Sequence, residues 1–341
     1  MVKCAVVILN WNGLSWLQKF LSSVVMFTTG QETLIYVADN GSTDGSPSWV
    51  NENFSDVGII RMGKNNGFAG GYNLALEQID AKYYILLNAD VEVTENWLVP
   101  MIRYMDVNQD VAACQPKIKS FYNKDHFEYA GAAGGFIDKF GYTFCRGRVF
   151  DRVEKDEGQY DDYADIFWAS GACMVIRSEA WQKCNGFDSD FFAHMEEVDL
   201  CWRFHRAGFR VSYIPDSVVY HIGGGILPYD SELKTYLNFR NNLLMLFKNL
   251  PDNKLKSTIF IRKLLDGVAG AMFLLKGKFS SVKAIIKAHN DYNKNLESLK
   301  TRRELINRSG DNDCDELIMN KSIVFWFYIK GKKTYKALPH K

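Results

Sequence analysis

The chain has 341 residues, 47% of them hydrophobic, and a formal net charge of +1. That length suits about two domains, the apolar share suits a soluble protein with a core, and the near-neutral charge offers no general attraction to nucleic acid. Seven cysteines, Cys4, Cys114, Cys145, Cys173, Cys184, Cys201 and Cys314, are odd in number, scattered and without a Cys-x-x-Cys pair. They suggest neither a zinc site nor a disulfide framework and read as buried thiols in a reducing compartment. The opening Met-Val-Lys enters a strand without the basic-then-apolar layout of a secretory signal. No apolar run approaches the ~20 residues that span a bilayer as a helix. A cytoplasmic protein is expected.

The first half alternates strands and helices. Residues 2–9 read as a strand that ends at Asn10-Trp11-Asn12, and residues 14–26 as a helix. A second strand, 34–38, ends at Asp39-Asn40-Gly41-Ser42 and is followed by a helix over 46–53. A third, 57–60, leads to Lys64-Asn65-Asn66-Gly67 and a helix over 71–79. A fourth, 83–87, ends at Asn88-Ala89-Asp90. This alternation predicts βαβ units and a parallel sheet flanked by helices. Ligands of open parallel sheets bind at the carboxyl ends of the strands. Polar residues at four such ends predict one site assembled from four loops.

The second half is less regular. Residues 151–165 are acidic and polar and read as an exposed loop; 166–176 read as a buried strand near a ligand. Residues 196–207 read as a helix, with acids at its start, Arg203 and Arg206 near its end and Gly208 as its stop. Short strands are expected at 211–214 and 218–220, with His221 and Gly223-Gly224-Gly225 after them. From about Tyr229 the pattern turns helical. The expected division is a catalytic unit over 1–228 and a mostly helical extension over 229–341.

Several clusters carry chemistry. Asn88 and Asp90 are two apart at a strand end, so they face one side if the strand geometry persists. An oxygen-rich pair suits Mg²⁺ or Mn²⁺ bridging phosphate oxygens, although Asn and Asp after a strand also make ordinary turns. Asp39 could accept a hydrogen bond from a ribose or a base, or begin a turn. The glycine-rich run Asn66–Asn73 enters a helix, where backbone N–H groups could approach a phosphate or sugar. It is neither a Walker loop nor a dinucleotide fingerprint. Glu196, Glu197 and Asp199 crowd like charge, which can raise a carboxyl pKa and make a base; they equally suit a helix N-terminus with Asp199 paired to Arg203. His221 before glycines could ligate a metal or be a satisfied buried side chain.

Together these pieces resemble the family 2 glycosyltransferases of GT-A fold, nearest to the bacterial rhamnosyltransferase-like branch. The likeness covers roughly 4–248. It rests on Val6-Val7-Ile8-Leu9-Asn10-Trp11-Asn12, Val37-Ala38-Asp39-Asn40-Gly41-Ser42-Thr43-Asp44-Gly45-Ser46 and Asn65-Asn66-Gly67-Phe68-Ala69-Gly70-Gly71-Tyr72-Asn73. It continues through Leu86-Leu87-Asn88-Ala89-Asp90, Gly171-Ala172-Cys173-Met174 and Phe191-Phe192 with Glu196-Glu197-Val198-Asp199-Leu200-Cys201-Trp202-Arg203. Tyr220-His221 and Asn238-Phe239-Arg240-Asn241-Asn242 complete it.

The resemblance implies an inverting transfer of a sugar from a nucleotide-diphospho-sugar, such as dTDP-rhamnose or a UDP-sugar, to a glycan or lipid-linked glycan in surface polysaccharide synthesis. It implies a divalent metal, Mg²⁺ or Mn²⁺, on Asp90, with His221 where some relatives place a further ligand. Asp39 would bind the nucleoside, and Asn10, Asn12, Asn66, Gly67, Asn73 and Asn88 fall in the motifs that line the donor site. The base would be Glu197, with Glu196 beside it. The acceptor is expected over Trp168 and residues 120–165, since sugars rest on aromatic faces. A sugar-phosphate nucleotidyltransferase would want a basic glycine-rich loop after the first strand, where Asn10-Trp11-Asn12-Gly13 stands. A non-catalytic carbohydrate-binding protein would not need a metal pair and a base cluster together.

The C-terminal region carries its own signal. Between residues 254 and 288 stand eight Lys or Arg and one acid, Asp266, amid apolar stretches at 259–261 and 268–275. Beyond Glu316 six lysines and no acids flank the apolar run 323–329. Basic residues beside apolar ones predict either contact with the inner, anionic face of the cytoplasmic membrane or an extension packed on the catalytic unit.

Overall fold

A computed structural model describes residues 2–28, 32–223, 231–309 and 314–339. Its first half is the predicted alternation: β1 (Val2–Asn10), α1 (Leu14–Phe27), β2 (Thr33–Asp39), α2 (Ser46–Asn53), β3 (Gly58–Arg61), α3 (Gly67–Leu76) and β4 (Ala81–Asn88). β3, β2, β1 and β4 lie side by side and parallel. Asn10 pairs with Asp39, and Leu9 with Asn88, so the polar residues that end these strands share one edge. Strand alternation sends Cys4, Val6 and Ile8 to one face, against Leu17, Leu21 and Val24 of α1. Ala5, Val7 and Leu9 go to the other, against Ala69, Tyr72 and Ala75 of α3. Burial on both faces explains the continuous apolar runs.

After β4 come β5 (Val91–Val93), α4 (Val99–Val107) and β6 (Val111–Ser120). β7 (Gly135–Ile137), β8 (Thr143–Cys145), β9 (Arg148–Val149) and β10 (Arg152–Val153) form a small antiparallel sheet. β11 (Ala164–Asp165), β12 (Cys173–Arg177), α5 (Ser178–Lys183), α6 (Glu196–Arg206) and β13 (Arg210–His221) complete the catalytic half. The main sheet runs β11-β13-β6-β12-β4-β1-β2-β3, with β5 added beside β13 and β12 antiparallel to both neighbours.

Three expectations shift. The two short strands expected at 211–214 and 218–220 are one strand, β13, with a register break between Ile214 and Val218 where Pro215 interrupts the ladder. The strand expected over 166–176 is regular only from Cys173; before it Ser170 bonds Gln115 and Ala130, and Gly171 lets the Phe68 ring approach. The helix expected from Gly71 starts at Gly67, four positions earlier.

α7 (Glu232–Asn249), α8 (Asp252–Leu275), α9 (Phe279–Lys294) and α10 (Leu296–Ser309) follow. α7 belongs to the catalytic body: Lys248 and Asn249 donate to Asp199 of α6 at 2.9 and 2.8 Å. The expected boundary at 228/229, like Gly224 and Gly225, lies outside the described residues. Residues 314–339 return to the small sheet, where Ile323, Phe327 and Leu338 pack on Phe144 and Val149. Two residues of the apolar run at 323–329, Ile323 and Phe327, are therefore core. All seven cysteines are buried, and no disulfide joins them among the described residues. Among the described residues no helix is long and apolar enough to cross a membrane.

Candidate active site

β5 explains how Asp90 and His221 meet. It leaves Asp90 at once and pairs with the end of β13, with Val91 opposite His221. The His221 Nε2 then lies 3.2 Å from an Asp90 oxygen. Its Nδ1 lies 3.1 Å from Glu128. Glu128 is carried there by the turn after β6, whose Ile118 accepts the Glu128 N–H at 3.0 Å. All three are at most 4% exposed. Burial alone would strip the imidazole of its proton, but the carboxylates of Glu128 and Asp90 outweigh it and hold His221 up at about 10. Burial likewise opposes the Glu128 charge, and His221 holds that carboxyl below its usual range.

Glu128 was not legible beforehand. It stands in an ordinary aromatic stretch, and only the fold brings it to His221. A carboxylate on the far nitrogen of a ligating histidine fixes the ring and its tautomer. Asp90 and His221 fit a hexacoordinate cation: adjacent ligands with bonds of about 2.1 Å stand roughly 3 Å apart, close to the spacing found here. Among the described residues no three His, Cys, Asp or Glu converge on one point. A cation held here would take its remaining ligands from phosphate oxygens and water, which is how Mg²⁺ is usually held.

At the other end of the edge, Asp39 is 5% exposed and accepts the Ser42 N–H at 3.2 Å through one oxygen; among the described residues its second oxygen has no protein partner. Asn12 accepts the Thr43 N–H at 2.7 Å and so shapes the loop beside Asp39. Asn10 spends its amide N–H groups on Ser46 and Ser42, at 2.7 and 3.1 Å, inside the protein. Asn88 is half-buried at the strand end, its N–H bonded to Ala172. No Lys or Arg stands in the Asn10–Gly13 loop to hold a triphosphate.

The glycine-rich loop does not act as a phosphate cradle. The N–H groups of Phe68 and Ala69 at the start of α3 both bond the Phe192 carbonyl, at 2.6 and 3.2 Å. The Asn66 and Gly67 N–H groups go to the side chains of Asn40 and Asn65. A Cβ on Gly67, at φ +72°, would lie 2.5 Å from Phe192. Asn73 gives both ends of its amide to the Phe187 backbone, at 2.8 and 3.0 Å. Gly67 and Asn73 therefore hold the 187–192 turn, while Asn66 ties its own loop to Asn40 and the Lys64 carbonyl.

That turn leads into the acids. Phe192, His194 and Met195 all have φ between 62° and 72°. Left-handed backbone at non-glycine residues costs on the order of 1 kcal/mol each and persists where surroundings impose it. Here the Asn241 amide of α7 lies 2.9, 2.8 and 2.7 Å from the carbonyls of Phe191, Ala193 and His194. Arg240 adds bonds to the Asp190 and Phe191 carbonyls. Arg240 and Asn241 of the Asn238–Asn242 motif thus strap the turn. No side chain caps α6.

Glu196 and Glu197 open α6, and each leaves its Oε2 without a hydrogen-bond partner among the described residues. Burial raises both carboxyls; the Glu197 charge adds to the effect on Glu196, and Glu197 is pushed up to about 7. Glu196 is 4% exposed, whereas Glu197 as a residue is half-buried. Asp199 is structural: it accepts from Arg203, Lys248 and Asn249 and is fully buried. His194 also has an unpartnered Nε2, and burial, then the Lys234 charge, lower it to about 4. Lys234 in turn feels Glu128, which links the acid turn to the Asp90–His221 end. Trp168 cannot be an acceptor platform. It is 4% exposed, lies under Gly135 and donates to the Phe136 carbonyl at 2.9 Å.

The sequence profile of Glycosyl transferase family 2 matches residues 5–184, more than half of the chain. The N-acetylglucosaminyl-diphospho-decaprenol L-rhamnosyltransferase of Mycobacterium tuberculosis is 26% identical over 232 residues, covering 60% of this chain and 71% of that protein. Two solved structures share the architecture. GalNAc-T7 with UDP, GalNAc and Mn²⁺ gives a TM-score of 0.58 at 17% identity, over 73% of this chain and 48% of that one. Residues 1–349 of S. aureus TarS in complex with UDP-GlcNAc give 0.57 at 15%, over 90% and 87%. The matched stretch carries the strand-end edge, and the chain belongs to glycosyl transferase family 2, as an enzyme of glycosyl transfer with the GT-A fold.

Proposed function

We propose that this enzyme moves a sugar, with inversion, from a nucleotide-diphospho-sugar to a hydroxyl of a lipid-linked glycan in surface polysaccharide synthesis. The observation that carries the reading is Glu197. It is a half-buried residue whose carboxyl is raised toward neutrality, with a buried oxygen that no other group uses among the described residues. A general base works best with a pKa near the working pH. Asp39 would hold the nucleoside through its second oxygen. Asp90 and His221 would hold the divalent cation, Mg²⁺ or Mn²⁺, which supplies neutralisation of the diphosphate charge when bound. The Mn²⁺ in the GalNAc-T7 structure supports that class of metal.

In the transfer, Glu197 takes the proton of the acceptor hydroxyl. The acceptor oxygen forms a bond to the anomeric carbon as the carbon–oxygen bond to the diphosphate breaks, its electron pair leaving with the phosphate. One displacement from the opposite face inverts the centre. Glu196, more deeply buried, holds a neutral carboxyl beside it. The mycobacterial relative, named for rhamnosyl transfer to a decaprenyl-linked sugar, supports an L-rhamnosyl donor and a lipid-linked acceptor; TarS with UDP-GlcNAc supports a UDP-sugar as the other donor class. Such an acceptor places the work at the inner face of the cytoplasmic membrane. The test is release of nucleoside diphosphate from dTDP-, UDP- and GDP-sugars with Mg²⁺ or Mn²⁺. One donor class should turn over and Asp90→Ala should abolish it; full activity of Asp90→Ala, or of wild type in excess chelator, would remove the metal from the scheme.

A further inference from the structure

We infer that the outward face of α8 is a docking surface for an anionic lipid bilayer. The inference rests on the lipid-linked acceptor reading for its purpose and on the geometry of α8 for its content. α8 has 24 residues, about 36 Å of helix. One edge is buried: Thr258, Ile259, Arg262, Asp266 and Gly270 face the protein. The other carries Phe260, Leu264, Val268, Met272 and Leu275, exposed by 64, 57, 59, 43 and 87%. Spacings of three and four residues put these side chains on one stripe. Ile261 and Leu274 widen it. From Ser257 to Leu275 every exposed position on α8 is uncharged. Soluble proteins rarely leave so continuous an apolar surface to water, and where they do it meets a partner.

The charges around the stripe say which partner. Lys256 stands exposed before it, and Lys276 and Lys278 after it. Lys283 and Lys287 lie exposed on α9, with Ile286 between them and Phe279 at the start of that helix. Lys263, on the flank, turns to Asn293 and the Tyr292 ring. The one acid between residues 254 and 288, Asp266, is fully buried against Arg262 and His289, and Asp252 at the start of α8 is paired with Arg303. A second copy of the chain does not suit this pattern. Antiparallel pairing through a twofold axis sets Lys256 against Lys276 and Lys278, and parallel pairing sets each lysine near its own counterpart; both bring like charges together. An anionic bilayer satisfies both features. The stripe enters the boundary between headgroups and acyl chains, and the lysines at its ends meet phosphate. α8 then lies in the plane of the surface, since it cannot span.

The test uses the full chain and vesicles of phosphatidylcholine, with and without phosphatidylglycerol. Wild type should cosediment with the mixed vesicles and dissociate as salt rises. Leu264→Asp with Val268→Asp should lower partitioning at least about tenfold. Its melting temperature and its hydrolysis of donor by water should stay unchanged, because both positions face solvent and lie away from the active site. Lys256→Ala, Lys276→Ala and Lys278→Ala together should remove the preference for the anionic lipid. Failure of wild type to bind mixed vesicles at low salt, or equal binding by the double aspartate variant, would overturn the inference. A dimer in sedimentation velocity that the aspartates dissociate would also overturn it, in favour of a second copy. Vesicle binding without any sugar transfer would remove the acceptor reading and leave the docking surface standing.

Discussion

Glu197→Gln should abolish turnover and at the same time stabilise the fold. The amide keeps the shape of the side chain and cannot accept a proton, so transfer should fall by roughly 10²–10⁴-fold, the usual worth of a general base. The stability sign follows from the carboxyl. Unfolded, it ionises near 4.5; folded, burial holds the proton until about pH 7. The unfolded chain therefore gives up that proton first, and stability declines as pH rises from about 4.5 through 7, with the full cost present above 7. That interval corresponds to about 3 kcal/mol; the part of the side chain open to water reduces it to about 2 kcal/mol. Glutamine carries no such cost. Urea unfolding should give the variant an advantage of about 2 kcal/mol at pH 8 that vanishes near pH 4. The wild-type rate should rise with pH around an inflection near 7. Normal turnover in Glu197→Gln beside a dead Glu196→Gln would move the base to Glu196. A variant less stable than wild type at pH 8 would refute the burial argument.

Glu128→Gln should weaken Mn²⁺ binding, read by titration of the metal against donor-dependent fluorescence, by about 10- to 100-fold, because the carboxylate that orients His221 is gone; unchanged affinity would make Glu128 a bystander. Asn241→Ala should free the Ala193 and His194 carbonyls while Arg240 keeps that of Phe191, costing about 1–3 kcal/mol in urea unfolding, and lower kcat together with stability; an active, equally stable variant would mean the turn holds itself. Asp199→Ala should cost about 3–5 kcal/mol, since it leaves Arg203 buried without its carboxylate and Lys248 with Asp188 alone; thermal melting reads it, and a loss under 1 kcal/mol would place that network in water.

The N-terminal half was legible because its signals are local. Strand and helix periods, glycine punctuation and polar strand ends all lie within a few residues of one another, and parallel pairing then forces Asn10, Asp39 and Asn88 onto one edge. Asp90, His221, Glu196 and Glu197 were likewise visible as residue types in a recognisable order. The helical run after 231 and its lysines were visible too, but the sequence left open which apolar residues are covered. Packing decides that: Ile259, Ile323 and Phe327 go inside, and Leu264, Val268 and Leu275 stay out.

The tertiary structure alone decided the partners. Glu128 reaches His221 because β6 and β13 run side by side and the turn after β6 folds back. No short-range pattern encodes that approach. The glycine-rich loop looked like a phosphate site because its N–H groups open a helix; the Phe192 carbonyl, arriving from far along the chain, takes them instead. Trp168 looked like a sugar platform until Gly135 closed over it. Residue type and spacing determine which groups can do chemistry, because those depend on the local chain. Whether a polar group remains free for a ligand depends on what the rest of the chain brings against it, and that is settled only by long-range packing.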